Sequence, residues 1–446
     1  MNRLWTRIFI IAACLLTLLF FSNDFGIIDI QKTAVVVALG IDKSEQAGKY
    51  NVTAQIAMPV ASGTSGAESA CLITINDVST VGEAVSKINS QTGWFPTLVY
   101  CNLILFCTKT AREDVFNALD YFLRSDYVPD TSLVALVDGK CSEILGSQSP
   151  INDMSSAAIT KTLSSEAQKS GMVSVINLRD FSKGYYSPSK SGYLPMIEAK
   201  PSENETPPPG GGADSEETAF KSGEMQAVPA FARPKDMKFK WWHLFRRNPL
   251  PVSAEESSGG GEGGGSGGGN SQSNTKIFNA SKTALFYEGR HVGTLDEDET
   301  LALNLATSKT GLATMQVKVD EEGSETDYTL WVKVKSRGTK LKAEQDFAKF
   351  TVNVECEAQV TDTSKAKSIE EITRSQIVEP NVLQAAERHL TDKLSSVFEK
   401  SVESRCDIYG LLQNLYRHNY KYYDSMKDSV LESAHPVYNV KFKTFK

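Results

Sequence analysis

The chain has 446 residues, a formal net charge of −7, 41% hydrophobic residues and 23% charged ones. That length suggests two or three domains, each able to bury a core, and the composition is ordinary for a globular protein. The mild negative charge excludes an overall pull toward nucleic acid or anionic lipid, so any such contact has to be local.

The only strongly apolar run is Ile8 to Phe21, preceded by Arg3 and Arg7 and followed by Ser22-Asn23-Asp24. Cations on the leading flank keep that end in the cytoplasm and send the rest of the chain outward. Residues 1–30 are therefore expected to be a signal or membrane anchor. The run is short for a spanning helix, and Phe20 and Phe21 occupy the place of a small-x-small cleavage site. Ile11-Ala12-Ala13-Cys14 has the spelling of a lipoprotein cleavage box but lies inside the apolar run. An uncleaved anchor is preferred over lipidation at Cys14, and either leaves a tether.

Residues 31–200 read as an α/β domain, possibly of two subdomains. Thr33 to Gly40 is a buried strand ending in a turn, and Tyr50 to Pro59 alternates as a second strand. Thr80-Val81-Gly82-Glu83 spells a capping box opening a helix to about Ser90. Leu98 to Phe106 reads as a buried strand, Arg112 to Leu123 as an amphipathic helix and Ser132 to Val137 as a further strand. Cys101 and Cys107 would share one face of their strand, where free cysteine acts as a small hydrophobe.

Residues 201–275 break the pattern with Thr206-Pro-Pro-Pro-Gly-Gly-Gly and a glycine tract from Gly259 to Asn270, a composition expected to form a disordered linker. Within it Lys240, Trp241, Trp242, Phe245, Arg246 and Arg247 interleave cations with aromatic rings. That mixture suits a membrane interface, and docking onto a folded domain suits it equally. Stacking on nucleic acid is not expected of an exported chain.

Residues 276–446 read as a second domain, an antiparallel sheet covered by long helices. Lys282 to Tyr287 and His291 to Leu295 form a hairpin about Glu288-Gly289-Arg290, and Asp296 to Glu299 caps a short helix. Alternating strands follow at Ala313–Val319, Leu330–Val334 and Phe350–Val360. A long helix starts at Pro380, Asp407 caps another through Leu415 and Tyr416, and the chain closes on a strand through Tyr438, Val440 and Phe442. The fold class is thus α+β: a mixed α/β N-terminal region, the Gly-rich linker, and the helix-covered sheet.

The order of these segments resembles the Ger(x)C family, the C subunits of spore germinant receptors. The residues that carry the resemblance are Ala34 to Lys43, Thr80 to Asn89, Asp120 to Asp130, Ala284 to Thr300 and Asp407 to Tyr420. The resemblance implies a non-enzymatic lipoprotein on the outer face of the spore's inner membrane, working with polytopic A and B subunits to trigger germination. This chain departs from the family in three places. No cysteine stands in Phe21 to Ile28, shortly before the first strand; Tyr100-Cys101-Asn102 replaces a histidine common before the middle strand; and the Gly-rich bridge is far longer than usual.

Catalytic chemistry is not expected. His243, His291, His389, His418 and His435 are scattered, none of the seven cysteines forms a C-x-x-C pair, and no metal or cofactor site is indicated. Asp296 to Glu299 lacks the spaced ligands of a calcium loop and suits the positive end of a helix. Tyr416, Tyr420, Tyr422 and Tyr423 form an aromatic group expected to pack, with Tyr416 and Tyr420 as a candidate partner surface. The leading expectation is an anchored receptor subunit acting through protein contacts. The alternative is an extracytoplasmic small-molecule binder sensing the germinant itself, which requires a deep pocket. An envelope hydrolase is the weakest reading.

Overall fold

Leu103-Ile-Leu-Phe-Cys107 and Leu133-Val-Ala-Leu-Val137 have no polar face, a pattern a strand sustains only when both sides of its sheet are covered. A computed structural model describes residues 33–57, 70–150, 152, 154–201, 275–308, 310–321, 324–344, 347–364 and 378–445, together with Trp5 and helix α1 at 9–17. It places the two runs at the centre of a nine-stranded sheet.

The first elements are β1 (Thr33–Lys43), β2 (Tyr50–Ala57), β3 (Ala70–Val78), α2 (Val81–Thr92), β4 (Phe95–Thr97), β5 (Leu103–Cys107), α3 (Thr108–Ala111) and α4 (Phe116–Arg124). There follow β6 (Leu133–Val137), α5 (Cys141–Leu145), α6 (Ser155–Thr162), α7 (Ser165–Lys169), α8 (Leu178–Tyr186) and β7 (Ser191–Pro201). Strands β1, β5, β6 and β7 run parallel, while β2 and β3 extend one edge antiparallel. Ile104, Phe106, Val134 and Leu136 pack on one face with side chains of α2, α4 and α8. Leu103, Leu105, Ala135 and Val137 pack on the other with α5 and α6.

The turn expected after Gly40 is absent, because β1 stays paired with β2 as far as Lys43, and this last stretch of the strand has two structural duties. A Cβ on Gly40 would stand 2.6 Å from that of Cys141, so glycine permits the close approach of α5. The buried Asp42 carboxylate then accepts the Cys141 and Ser142 N–H groups at 2.7 and 3.0 Å, satisfying donors at the start of α5.

Two segments differ from the pattern read in the sequence. The expected strand from Leu98 starts only at Leu103, because Cys101 N–H closes a turn on the Leu98 carbonyl. Cys101 and Cys107 consequently pack on opposite faces of the sheet rather than sharing one. The expected helix from Arg112 starts at Phe116, because Val115 N–H bonds the Gly289 carbonyl and Asp114 accepts the Phe116 N–H at 2.9 Å.

Strands β8 (Lys276–Tyr287) and β9 (Arg290–Leu295) follow the glycine-rich stretch, yet they complete the first sheet. β8 pairs antiparallel with β7 from Ser191↔Tyr287 to Pro201↔Lys276. The turn between β8 and β9 uses positive φ at Glu288 (47°) and Gly289 (77°), the signature of a two-residue hairpin.

The second sheet holds β10 (Leu312–Glu321), β11 (Ser324–Ala343), β12 (Ala348–Thr363) and β13 (Ala434–Thr444). The first three are antiparallel, and β13 joins parallel to β12. Between them α10 (Pro380–Glu403), α11 (Leu411–His418), α12 (Tyr423–Met426) and α13 (Val430–Ser433) return the chain to the end where β12 began. The last strand must therefore enter in the direction of β12. Val382, Ala386, Leu390 and Leu394 of α10 cover one sheet face, meeting Phe350, Val352, Val354 and Cys356 in a common core.

Helix α9 (Glu297–Thr307) joins the two sheets and is buried continuously from Glu299 to Ala306. Leu301, Ala302, Leu305 and Ala306 enter the second core, whereas Leu303 packs with Leu285 and Leu295 of the first sheet and with Val397. A helix between two layers has no solvent face, and its sequence has no polar stripe.

Candidate functional surfaces

Asp296 and Glu299 form a full capping box: Asp296 Oδ1 accepts the Glu299 N–H at 2.7 Å, and Glu299 Oε2 accepts the Asp296 N–H at 2.8 Å. The buried Glu299 carboxylate also meets Lys400 Nζ and Ser396 Oγ, each at 2.6 Å. Asn304, a turn and a half further on, donates to the Gly171 carbonyl at 2.9 Å and accepts from Ser174 Oγ at 3.3 Å. The acidic cluster thus fixes the helix between the two sheets. Burial opposes the charge of the nearby Lys393, but Asp296 and Asp298 outweigh it and raise the lysine's pKa.

Asp407, like Glu299 and Asp42, is a buried carboxylate with a built environment. It accepts the Leu411 and Leu412 N–H groups at 2.7 and 2.9 Å, capping α11 as its sequence position suggests. Burial raises its pKa, and those N–H groups pull in the opposite direction. Two cavities of about 300 and 320 Å³ flank it, both lined by Pro188 and Ser189.

A groove of about 590 Å³ lies over α10 and β10, and charged groups of both signs line it, including Lys318, Arg388, Asp298 and Asp392. His389 is also there, 3.9 Å from Asp298. His291 is half-buried in β9 beside Thr294 Oγ1, and burial lowers its pKa. No group of three or more histidine, cysteine or acidic side chains suited to a metal occurs among the described residues. Cys101, Cys356 and Cys406 are buried free thiols whose pKa burial raises to about 12, so they are inert packing groups.

Tyr416 and Tyr420 stand exposed at 53% and 65%, with ring centroids 5.6 Å apart. Tyr423 lies 5.2 Å from Tyr416 and stacks near Tyr420. Asn419 fixes this segment by donating to the Leu341 carbonyl at 3.0 Å. The structure thus brings together three of the tyrosines in an open, ordered patch. Cys14 lies exposed on α1, among Ile10, Ile11, Leu15 and Leu16, all also exposed. No helix among the described residues is long and apolar enough to cross a membrane. Lys240, Trp241, Trp242, Phe245, Arg246 and Arg247 fall outside the described residues, as does the whole glycine-rich stretch.

Sequence reasoning missed one surface. Trp94, Phe95, Val99 and Tyr100 are exposed at 38%, 49%, 47% and 65%. The run through Leu98 reads as a buried strand, which hides Val99 and Tyr100. The available signal was Pro96, which limits pairing and argues against a central strand.

Comparison with known proteins gives matches over both sheets. Residues 26–199 match the spore germination protein N-terminal domain, and residues 281–444 match the spore germination B3/GerAC like C-terminal domain. No curated protein sequence matches significantly. Among solved structures, the crystal structure of the GerBC protein aligns at 14% identity with a TM-score of 0.45, over 94% of this chain and 100% of that one.

Proposed function

The chain belongs to the GerAC-like family of spore germination proteins, the C subunits of germinant receptors, and from that premise we propose that it is a non-enzymatic subunit working by protein contact. Its partners are the polytopic subunits of a nutrient germinant receptor, and its place is the outer face of the spore's inner membrane. The observation that carries this reading is the pair of family matches, in order, over both sheets. The exposed Tyr416–Tyr420–Tyr423 group supplies a contact surface of the kind that anchors interfaces, with large rings held in fixed positions. Co-purification from spore membranes tests the assignment: the chain should come out with multi-span partners, and Tyr416→Ser with Tyr420→Ser should weaken that recovery. Recovery of the chain alone, with nutrient germination intact in a deletion strain, would sink it.

Attachment through the N-terminal segment is part of the same reading. The run Ile8 to Phe21 supplies apolar length, and α1 exposes its side chains on every side. Cys14→Ala separates the two modes. Retention in the membrane fraction supports an uncleaved apolar anchor, whereas release assigns a lipid on Cys14.

A further inference from the structure

Strands β1, β4, β5 and β6 are parallel, so the segments that precede them gather at one end of the first sheet. β1 begins there at Thr33, which pairs with Phe95. Phe95 opens β4 with Trp94 just before it, and Val99 and Tyr100 lie in the turn before β5. The loop before β6 adds Tyr127, exposed at 71%, and Ser132 Oγ ties that loop to the turn by donating to the Cys101 carbonyl at 2.6 Å. Five exposed large apolar or aromatic side chains thus occur on three neighbouring connections. Scattered exposed hydrophobics are ordinary on a protein surface, but a group at one strand end marks a contact.

The occupant follows from what else emerges at this end. Residues 18–32 join α1 to Thr33, and fifteen residues span at most about 50 Å even when fully extended. The apolar segment that holds the chain at a membrane therefore departs from the same end as the aromatic group. Trp and Tyr are also the side chains that settle at the headgroup level of a bilayer, where a ring meets an apolar layer and its N–H or O–H meets water, and Phe adds apolar area beside them. Two arginines near this end are paired, Arg124 with Asp120 at 2.7 Å and Arg179 with Asp130 at 3.1 Å.

We propose that the sheet end carrying Trp94, Phe95, Val99, Tyr100 and Tyr127 rests on the bilayer interface, orienting the folded body relative to its N-terminal attachment. The proposal rests on the reading that this attachment exists. Contact through uncharged rings predicts little dependence on salt or on anionic lipid. A protein partner covering the same rings is the competing occupant.

The test uses the full chain with Trp5, Trp241, Trp242 and Trp331 each changed to Phe, leaving Trp94 as the sole tryptophan. The chain is reconstituted with phosphatidylcholine vesicles, with and without phosphatidylglycerol. Trp94 emission should shift to the blue on vesicle binding and lose most of its intensity with brominated lipid, to the same extent in both compositions and at high salt. Co-sedimentation with unshifted, unquenched Trp94 would overturn the interfacial contact while leaving the attachment intact. Failure to co-sediment would overturn both. Shielding of Trp94 from acrylamide only when multi-span subunits are present would assign the surface to a protein and overturn the proposal.

Discussion

The two sheets bury their strands differently, and the difference is written in their residues. β5 and β6 lie between helices on both faces and are apolar at almost every position. β12 is covered on one face only, and Phe350, Val352, Val354 and Cys356 alternate with Thr351, Asn353 and Glu355. On its open side the ladder is charged, with Lys335 pairing with Glu357 at 3.1 Å and Lys443 pairing with Glu355. Period-two alternation therefore reports a single covered face, and its loss reports two.

The largest expected effect breaks this comparison directly. Ile104→Ala and Leu105→Ala point to opposite faces of β5, yet each should cost about 2–5 kcal/mol, measured by denaturant unfolding. In β12 the neighbours should part company: Phe350→Ala costs about 3–5 kcal/mol, and Thr351→Ala stays within about 0.5 kcal/mol. Equal losses at Phe350 and Thr351 would mean that the second sheet has a covered outer face.

Next in size is the link between the sheets. Glu299→Ala leaves Lys400 without its buried partner and removes half of a capping box. Because Lys400 remains more than one-third exposed, the expected cost is about 1–3 kcal/mol, below that for a fully buried pair. If α9 couples the sheets, wild-type unfolding is one transition and this variant separates the signals of the two halves. A variant that lowers the midpoint but keeps all probes coincident would show coupling through packing alone.

A smaller effect concerns pH. Burial, aided by Arg112 and partly offset by a hydrogen bond at Gly293, holds His291 below its ordinary value of 6.5. As pH falls below 6.5 the unfolded chain takes up this proton first, so stability declines from there until the folded pKa is passed. His291→Gln should remove that part of the slope between pH 7 and 5, measured as the unfolding midpoint.

The smallest expected effect is on stability when residues 203–273 are replaced by a short turn. Pro201 and Lys276 are paired neighbours, so the shortened connection only closes a hairpin. The unfolding midpoint should be unchanged. A large loss would show that the excised stretch packs on the body.

Much of this was legible in the residues. Alternation marked β2, β10 and β12, helical spacing marked α10, and Asp296 and Asp407 announced the helices they cap. The short helices α5 and α7 left little signal, since five residues hardly complete an apolar period. β7 was hidden by Gly192 and Pro195, and exposed β3 has no buried alternation to show. Of the surfaces, Tyr416 and Tyr420 stood out because they lie on helical spacing, whereas Trp94 to Tyr100 did not because an exposed apolar run is spelled like a buried strand.

What the sequence determined by itself is local: where the strongly periodic strands and helices lie, that Asp296 and Asp407 cap helices, and that an apolar segment precedes Thr33. Those follow from periodicity and from backbone groups that need partners close along the chain. The tertiary structure decided which strands share a sheet, that β8 and β9 complete the first one across the glycine-rich stretch, and that β13 enters parallel. It also decided that Gly40 and Asp42 meet Cys141 a hundred residues away. Such pairings depend on long-range packing and hydrogen bonding, which no local pattern encodes.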